Sequence, residues 1–360
     1  LAAEANLAHD PGKRGTRVNN WVLILALVIE TPVAARDLSV PLDKGWKHAE
    51  TGLILMPQLA GLSRTKLTDA TETEHDVAAQ YDLADKSVFA TIYLFHPAIP
   101  DVALWFDRSQ TALETRDIFR HAAPASADTI AFAATSGGTA TSLRQVYATP
   151  GGAYRSTALA VVPVGEWIVS IRMSAKTLTA DQLDASLQQV IKAVRWPPST
   201  TTATIAAAPV KTCATPLTFT KAKQAKPNGG DLLMSLMAST MAVKAKTEEK
   251  PTLPVPQPSW CRDGGASTEY GVYRSSASSG GYIMALYDAG RVVSVYPSVM
   301  GQIDKSGTYA VSLEDVEGTT SVFPSFTALP SPKQVWDLVG SGKRSGTMKG
   351  KQMTIDPKAF

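Results

Sequence analysis

The sequence predicts an α+β fold of two domains, each an antiparallel sheet covered by helices. Three observations carry this. Runs of β-forming residues alternate with glycine turns, as at Gly137-Gly138, Gly151-Gly152 and Gly165. Helical periodicity interrupts them at residues 101–121 and 180–195. A stretch without period, Pro197-Pro198-Ser199-Thr200 through Pro209, then divides the chain. At 360 residues with 44% hydrophobic and 19% charged residues, the chain has material for two sizeable cores. The resulting division is residues 1–35 as a leader, 36–196 as one domain, 197–209 as a linker and 210–360 as the second domain.

At the amino end, Lys13, Arg14 and Arg17 precede nine apolar residues, Trp21 to Ile29, and Val33-Ala34-Ala35 follows Pro32. A basic flank, a short apolar run and small closing residues describe a secretory signal peptide cleaved after Ala35. Nine residues cover roughly half a bilayer core, so no spanning helix is predicted in the mature chain. The expected location is therefore the periplasm or the exterior.

In the first domain, strands are predicted at 51–56, 62–69, 75–82 and 87–95. The last, Ser87 to Phe95, is rich in β-branched and aromatic residues. Pro97 and Pro100 end it, and a helix over 101–121 would bury Val102, Trp105, Phe106 and Leu113. Strands follow at 128–134, 142–149, 153–163 and 166–174. Thr179 and Gln182 form a capping box for the helix at 180–195, with Leu183, Leu187, Val190, Ile191 and Val194 on its inner face.

In the second domain, a helix at 230–245 is expected to turn Leu233, Leu236, Met237 and Met241 inward. Strands are predicted at 267–274, 281–287, 291–296, 308–313 and 319–323, with Asp288-Ala289-Gly290 as a hairpin turn. A short helix from Pro332 to Leu338 and a strand at 347–354 close the chain. The two cysteines of the whole sequence, Cys213 and Cys261, both fall here. In an oxidising compartment they predict a structural disulfide, and their spacing fits neither a CxxC redox motif nor a zinc site.

Several chemistries lack their residues. All five histidines lie in the first half, at 9, 48, 75, 96 and 121, so the second domain has no imidazole for a Ser-His-Asp or Cys-His system. No G-x-S-x-G elbow occurs. Gly340 to Gly346 imitates a phosphate loop but has Asp337 where its first glycine belongs. Ser63-Arg64-Thr65-Lys66 matches the S-x-x-K of penicillin-recognising enzymes without the apolar helix that should carry it. Met234, Met237 and Met241 share a helical face, read as core or an adaptable groove in preference to a Cu(I) site. Residues 36–198 carry 15 basic and 17 acidic groups, and residues 199–360 carry 17 and 12, with no basic stripe for nucleic acid. No catalytic, cofactor or metal residues are assigned.

The densest polar cluster is Glu72-Thr73-Glu74-His75-Asp76, with His48 and Glu50 as a second pair. Imidazole beside carboxylates suits acid–base work or cation binding. Strand alternation, however, would set Glu72, Glu74 and Asp76 on one face and His75 on the other, which favours a solvated hairpin edge. His96 reads as a loop or cap residue, and His121 as a helix-end dipole partner.

Leu53 to Arg64, Asp76-Val77-Ala78-Ala79-Gln80-Tyr81 and Ala90-Thr91-Ile92-Tyr93-Leu94-Phe95 together resemble an uncharacterised family of exported proteobacterial proteins. The strands and helix up to Trp196-Pro197 are similar in outline to the PsbP-like α/β/α sandwich. That resemblance covers residues 45–197 and implies binding or assembly roles on the exported side of a membrane, with no catalytic residues to transfer. The functional expectation is an exported, non-catalytic binding or envelope-accessory protein. Its partner would be an envelope protein, a polymer or a small ligand. The alternative is a secreted hydrolase using the carboxylate and histidine groups of the first domain.

Overall fold

The computed structural model describes residues 35–119, 121–126, 128–198, 205–237, 259–265, 267–276 and 280–357. The leader up to Ala34, residues 199–204 of the linker, Met241 and the prolines at 251–258 lie outside the described residues. Among the described residues, no helix is long and apolar enough to cross a membrane.

The first part of the chain forms β1 (Arg36–Asp37), β2 (Trp46–Lys47), β3 (Ile54–Leu55), β4 (Gln58–Leu59), β5 (Leu62–Asp69), β6 (Asp76–Asp82) and β7 (Val88–Phe95). Helix α1 (Val102–Glu114) and a 3-10 turn at Asp117–Phe119 follow. Next come β8 (Ala123–Pro124), β9 (Ile130–Phe132), β10 (Ser142–Ala148), β11 (Ser156–Val164), β12 (Trp167–Ala175) and helix α2 (Ala180–Ala193). The main sheet runs β1-β5-β6-β7-β12-β11-β10-β8, with β4 on β5 and β9 on β10, while β2 and β3 pair separately. All its pairings are antiparallel.

The second part forms β13 (Lys211–Thr212), a helix α3 at 229–237, β14 (Trp260–Asp263), β15 (Tyr270–Ser275), β16 (Tyr282–Leu286) and β17 (Arg291–Pro297). It continues with α4 (Val299–Ile303), β18 (Tyr309–Glu314), β19 (Thr319–Phe326), α5 (Pro332–Gly340), β20 (Gly346–Lys349) and β21 (Gln352–Ile355). These nine strands lie in sequence order in one sheet, antiparallel except for β13 on β14. Cys213 and Cys261 are bonded, with their Cα atoms 4.8 Å apart, which fastens the chain just after β13 to β14.

Among the described residues the structure is mostly β, 38% strand against 19% helix, and this corrects the α+β expectation. The missing assumption was that each sheet would bring its own helical cover. On β11 every side chain except Pro163 is buried, with Ala158, Ala160, Val162 and Val164 in a core with α2 and Leu159 and Val161 in a core with α1. The α1 core also takes Tyr273, Ala285 and Val292 from the second sheet. One helix therefore serves two sheets, and it is buried nearly all round, from Leu104 to Leu113 except at Gln110. The other face of the second sheet closes over Val335 and Leu338 of α5.

Local elements also differ from expectation. The helix expected over 101–121 stops at Glu114, capped by Thr115, which leaves His121 in a loop rather than at a helix end. The strand expected at 347–354 is the hairpin β20–β21, turning at Gly350 with φ 57°. In α3 the inward face is Leu232 and Leu236, while Leu233 and Met237 are 45% and 47% exposed. The helix is rotated because Asp231 and Ser235 are drawn inward. The Ser325 hydroxyl donates to Asp231 at 2.5 Å, and Ser235 meets the Tyr296 hydroxyl.

Candidate functional site

The predicted polar cluster is not a strand edge. Residues 70–75 form a loop, and β6 begins only at Asp76, so strand alternation does not separate these side chains. Asp69, at the end of β5 and 1% exposed, organises the loop. Its carboxylate accepts the Thr71 amide at 2.9 Å, the Thr71 hydroxyl at 2.7 Å and the Glu74 amide at 3.1 Å, and pairs with Arg36 at 2.9 Å. Glu74 takes a positive φ of 62°. This fold of the chain directs His75 toward the second sheet.

The His75 ring is held at both nitrogens. Nδ1 donates to the Val316 carbonyl, 3.0 Å away in the turn between β18 and β19, and Nε2 lies 3.0 Å from the Glu50 carboxylate. Trp167, the first residue of β12, sits beneath. Its indole meets the rings of His48, His75 and His96 edge-on at centroid distances of 4.5, 5.3 and 5.0 Å. His48 is buried and also lies 5.5 Å from Trp46. The Thr51 amide donates to His48 Nδ1 at 3.2 Å and the Thr51 hydroxyl lies 2.9 Å from the same nitrogen, so the proton of the neutral ring resides on Nε2; the ring also bonds the backbone of Glu74. Burial draws the His48 pKa below its ordinary value, opposed by the Glu50 charge.

Of the predicted residues, the structure brings together His48, Glu50, His75 and the Glu74 backbone. Glu72 is exposed and contributes its carbonyl to Arg36. Asp76 is set back in the sheet opposite Phe95, and burial pushes its carboxyl up to about 6 against the pull of Arg291. Trp167 and Asp69 escaped the sequence reading, and His96, read as a loop or cap residue, stands against Trp167. The Asp69-Ala70-Thr71 spacing, suited to a side chain that caps its own turn, was the available signal.

Chemically, both partners of the His75 ring are acceptors, a carbonyl and a carboxylate, and neither is a nucleophile. Of the nearby hydroxyls, Thr71 is engaged with Asp69 and Thr73 with Glu317 at 3.3 Å, while that of Thr51 lies 2.9 Å from His48 Nδ1 and accepts the Leu53 amide at 3.1 Å. Among the described residues, no three His, Cys, Asp or Glu side chains are placed to hold a metal ion.

A hollow of about 250 Å³ opens elsewhere on the first sheet, between the 134–141 loop, the β11–β12 turn and residues 196–198. Thr135, Thr139, Thr141, Ser142 and Trp196 line it, and no charged side chain does so among the described residues. Ser142 is 1% exposed, and its hydroxyl has no partner among them. The Trp196 indole N–H is committed to the Ile191 carbonyl at 2.8 Å. No protein-family model matches this chain, and neither a curated protein nor a solved structure matches it significantly.

Proposed function

We propose that this is an exported, non-catalytic binding or envelope-accessory protein that seats an uncharged polar ligand in the hollow above Ser142. The carrying observation is the contrast between that hollow and the histidine cluster. The hollow offers hydroxyls, glycine backbone and one indole without a charge, a set suited to hydrogen bonding and stacking. The cluster's titratable groups are instead committed to bonds between loops. Export is supported by the leader pattern and by the Cys213–Cys261 bridge, which needs an oxidising compartment.

Titration of neutral oligosaccharides and uncharged peptides against the full chain, followed by tryptophan fluorescence and calorimetry, tests the reading. One of these probes is expected to bind wild type, with affinity lost in Trp196→Ala and kept in Trp196→Phe. Equal binding by all three proteins would overturn it. Sequencing the amino end of protein recovered from the cell envelope tests export, with Arg36 expected first. The hydrolase alternative draws on the 3.0 Å contact of Glu50 with His75. It requires turnover of an ester or glycoside that His75→Gln abolishes.

A further inference from the structure

We propose that the histidines around Trp167 form a proton-set latch between the first-sheet loops and the β18–β19 turn of the second sheet. The argument is a count of protons. Val316 offers a carbonyl and Glu50 a carboxylate, both acceptors, at 3.0 Å from the two nitrogens of His75. A neutral imidazole has one N–H, so both bonds exist together only when the His75–Glu50 pair holds an additional proton. Loss of that proton as pH rises breaks one of the two.

His48 has the opposite requirement. Its Nδ1 receives the Thr51 amide at 3.2 Å and lies 2.9 Å from the Thr51 hydroxyl, so a second ring proton there displaces the amide and has only that hydroxyl oxygen, which already accepts the Leu53 amide, to bond. Its burial keeps the neutral form favoured. Falling pH thus fastens the latch at His75 and, further on, loosens it at His48. Between those limits the 48–52 turn, the 70–75 loop and the β18–β19 turn are joined.

Other charged groups face this point from each packed element. Glu50 and His48 come from the 48–52 turn, and Asp69, Glu74 and Asp76 from the loop itself. His96 follows β7, its ring 5.6 Å from His75. Asp315 and Glu317 belong to the β18–β19 turn, Glu317 pairing with Lys349 of β20 at 3.5 Å. Arg291 of β17 acts on Asp76. Across the same seam the Thr73 hydroxyl donates to Glu317 at 3.3 Å, and Arg172 of β12 pairs with Asp288 in the turn before β17. The Ala98 amide donates to the Gly290 carbonyl at 2.9 Å, and Gly290 has no room for a side chain, since a Cβ would lie 2.8 Å from Val316 Cγ1.

The test is a long-range proton–nitrogen spectrum of the histidine rings in the full chain, with amide exchange at 315–319 corrected for its intrinsic rate. His75 should carry protons on both nitrogens at pH 6 and only on Nε2 at pH 8.5, since the charge-assisted bond to the Glu50 carboxylate is kept over the one to the Val316 carbonyl, while His48 stays the Nε2–H tautomer. Exchange at 315–319 should rise about fivefold over the same interval. Glu50 is 55% exposed, so Glu50→Gln will fold, and its amide can donate to Nε2. In that variant exchange should stay flat. Asp76→Asn, which removes the neighbouring titration, should keep the wild-type rise. A single proton on His75 throughout, or the same rise in Glu50→Gln as in wild type, overturns the latch.

Discussion

Two of the seams between the sheets are built from opposite kinds of group. At α1 the seam is made by charges that do not change. Arg108 donates to the carbonyls of Tyr287, Ser267 and Thr268 at 2.6, 3.1 and 3.1 Å. Asp107 accepts the Tyr273 hydroxyl at 2.6 Å and pairs with Arg262 at 3.0 Å. Burial lowers the Arg108 pKa, with Tyr273 and Asp107 acting against it, yet a guanidinium keeps its proton. At Trp167 the same task falls to imidazoles and the Glu50 carboxylate, whose bonds depend on how many protons the rings hold. One seam is set for strength, and the other is responsive to protons.

The comparison breaks most sharply at Asp107. Asp107→Ala leaves the Tyr273 hydroxyl and Arg262 without their acceptor in a buried site, where losing one partner costs about 3–5 kcal/mol. Urea denaturation should show that loss at pH 6 and pH 8.5 alike. A loss confined to one pH would place titration at the α1 seam and erase the distinction.

That seam also marks where the sequence stopped being readable. The strand Val88–Phe95 and the Thr179–Gln182 capping box were legible because their signals are local, an aromatic β run and a three-residue spacing. Cys213 and Cys261 were legible because no other thiol competes. Asp107 and Arg108 gave no local signal of burial, since their partners lie some 155 to 179 positions later. Pairing at that separation leaves no period in the sequence. It also explains the fold class: the shared helix is visible only once the second sheet is in place. His75 was misplaced for a shorter-range reason. Asp69 holds the following residues as a turn, so the strand that alternation assumed starts one residue after His75.

The disulfide comes next in size. The Cys213→Ser, Cys261→Ser double variant should lose about 2–4 kcal/mol, as expected for a 48-residue closure. The loss should appear in unfolding of β13–β14 without changing the pH dependence of either seam. Thermal unfolding of the variant at several pH values, compared with wild type, checks both parts.

The smallest effects test the responsive seam from both directions. Asp76, raised to about 6 by burial, binds its proton in the folded state before the unfolded chain does. Its ionised form is thus a liability above pH 6, relieved as pH falls toward the unfolded value. Asp76→Asn should gain about 1 kcal/mol at pH 8, after allowance for the lost attraction to Arg291, and gain nothing near pH 4. His48 runs the other way. Its folded pKa is lowered, so the unfolded chain protonates first, and its contribution is complete above the unfolded value near 6.5 and declines as pH falls below it. With Asp76→Asn and Glu50→Gln together as the background, which removes the neighbouring carboxyl and the proton-dependent bond of His75, the stability profile from pH 7 to pH 5 should therefore slope downward toward acid. A flat profile in that background would mean that the His48 ring accepts its second proton without cost, and the two seams would then differ in composition but not in behaviour.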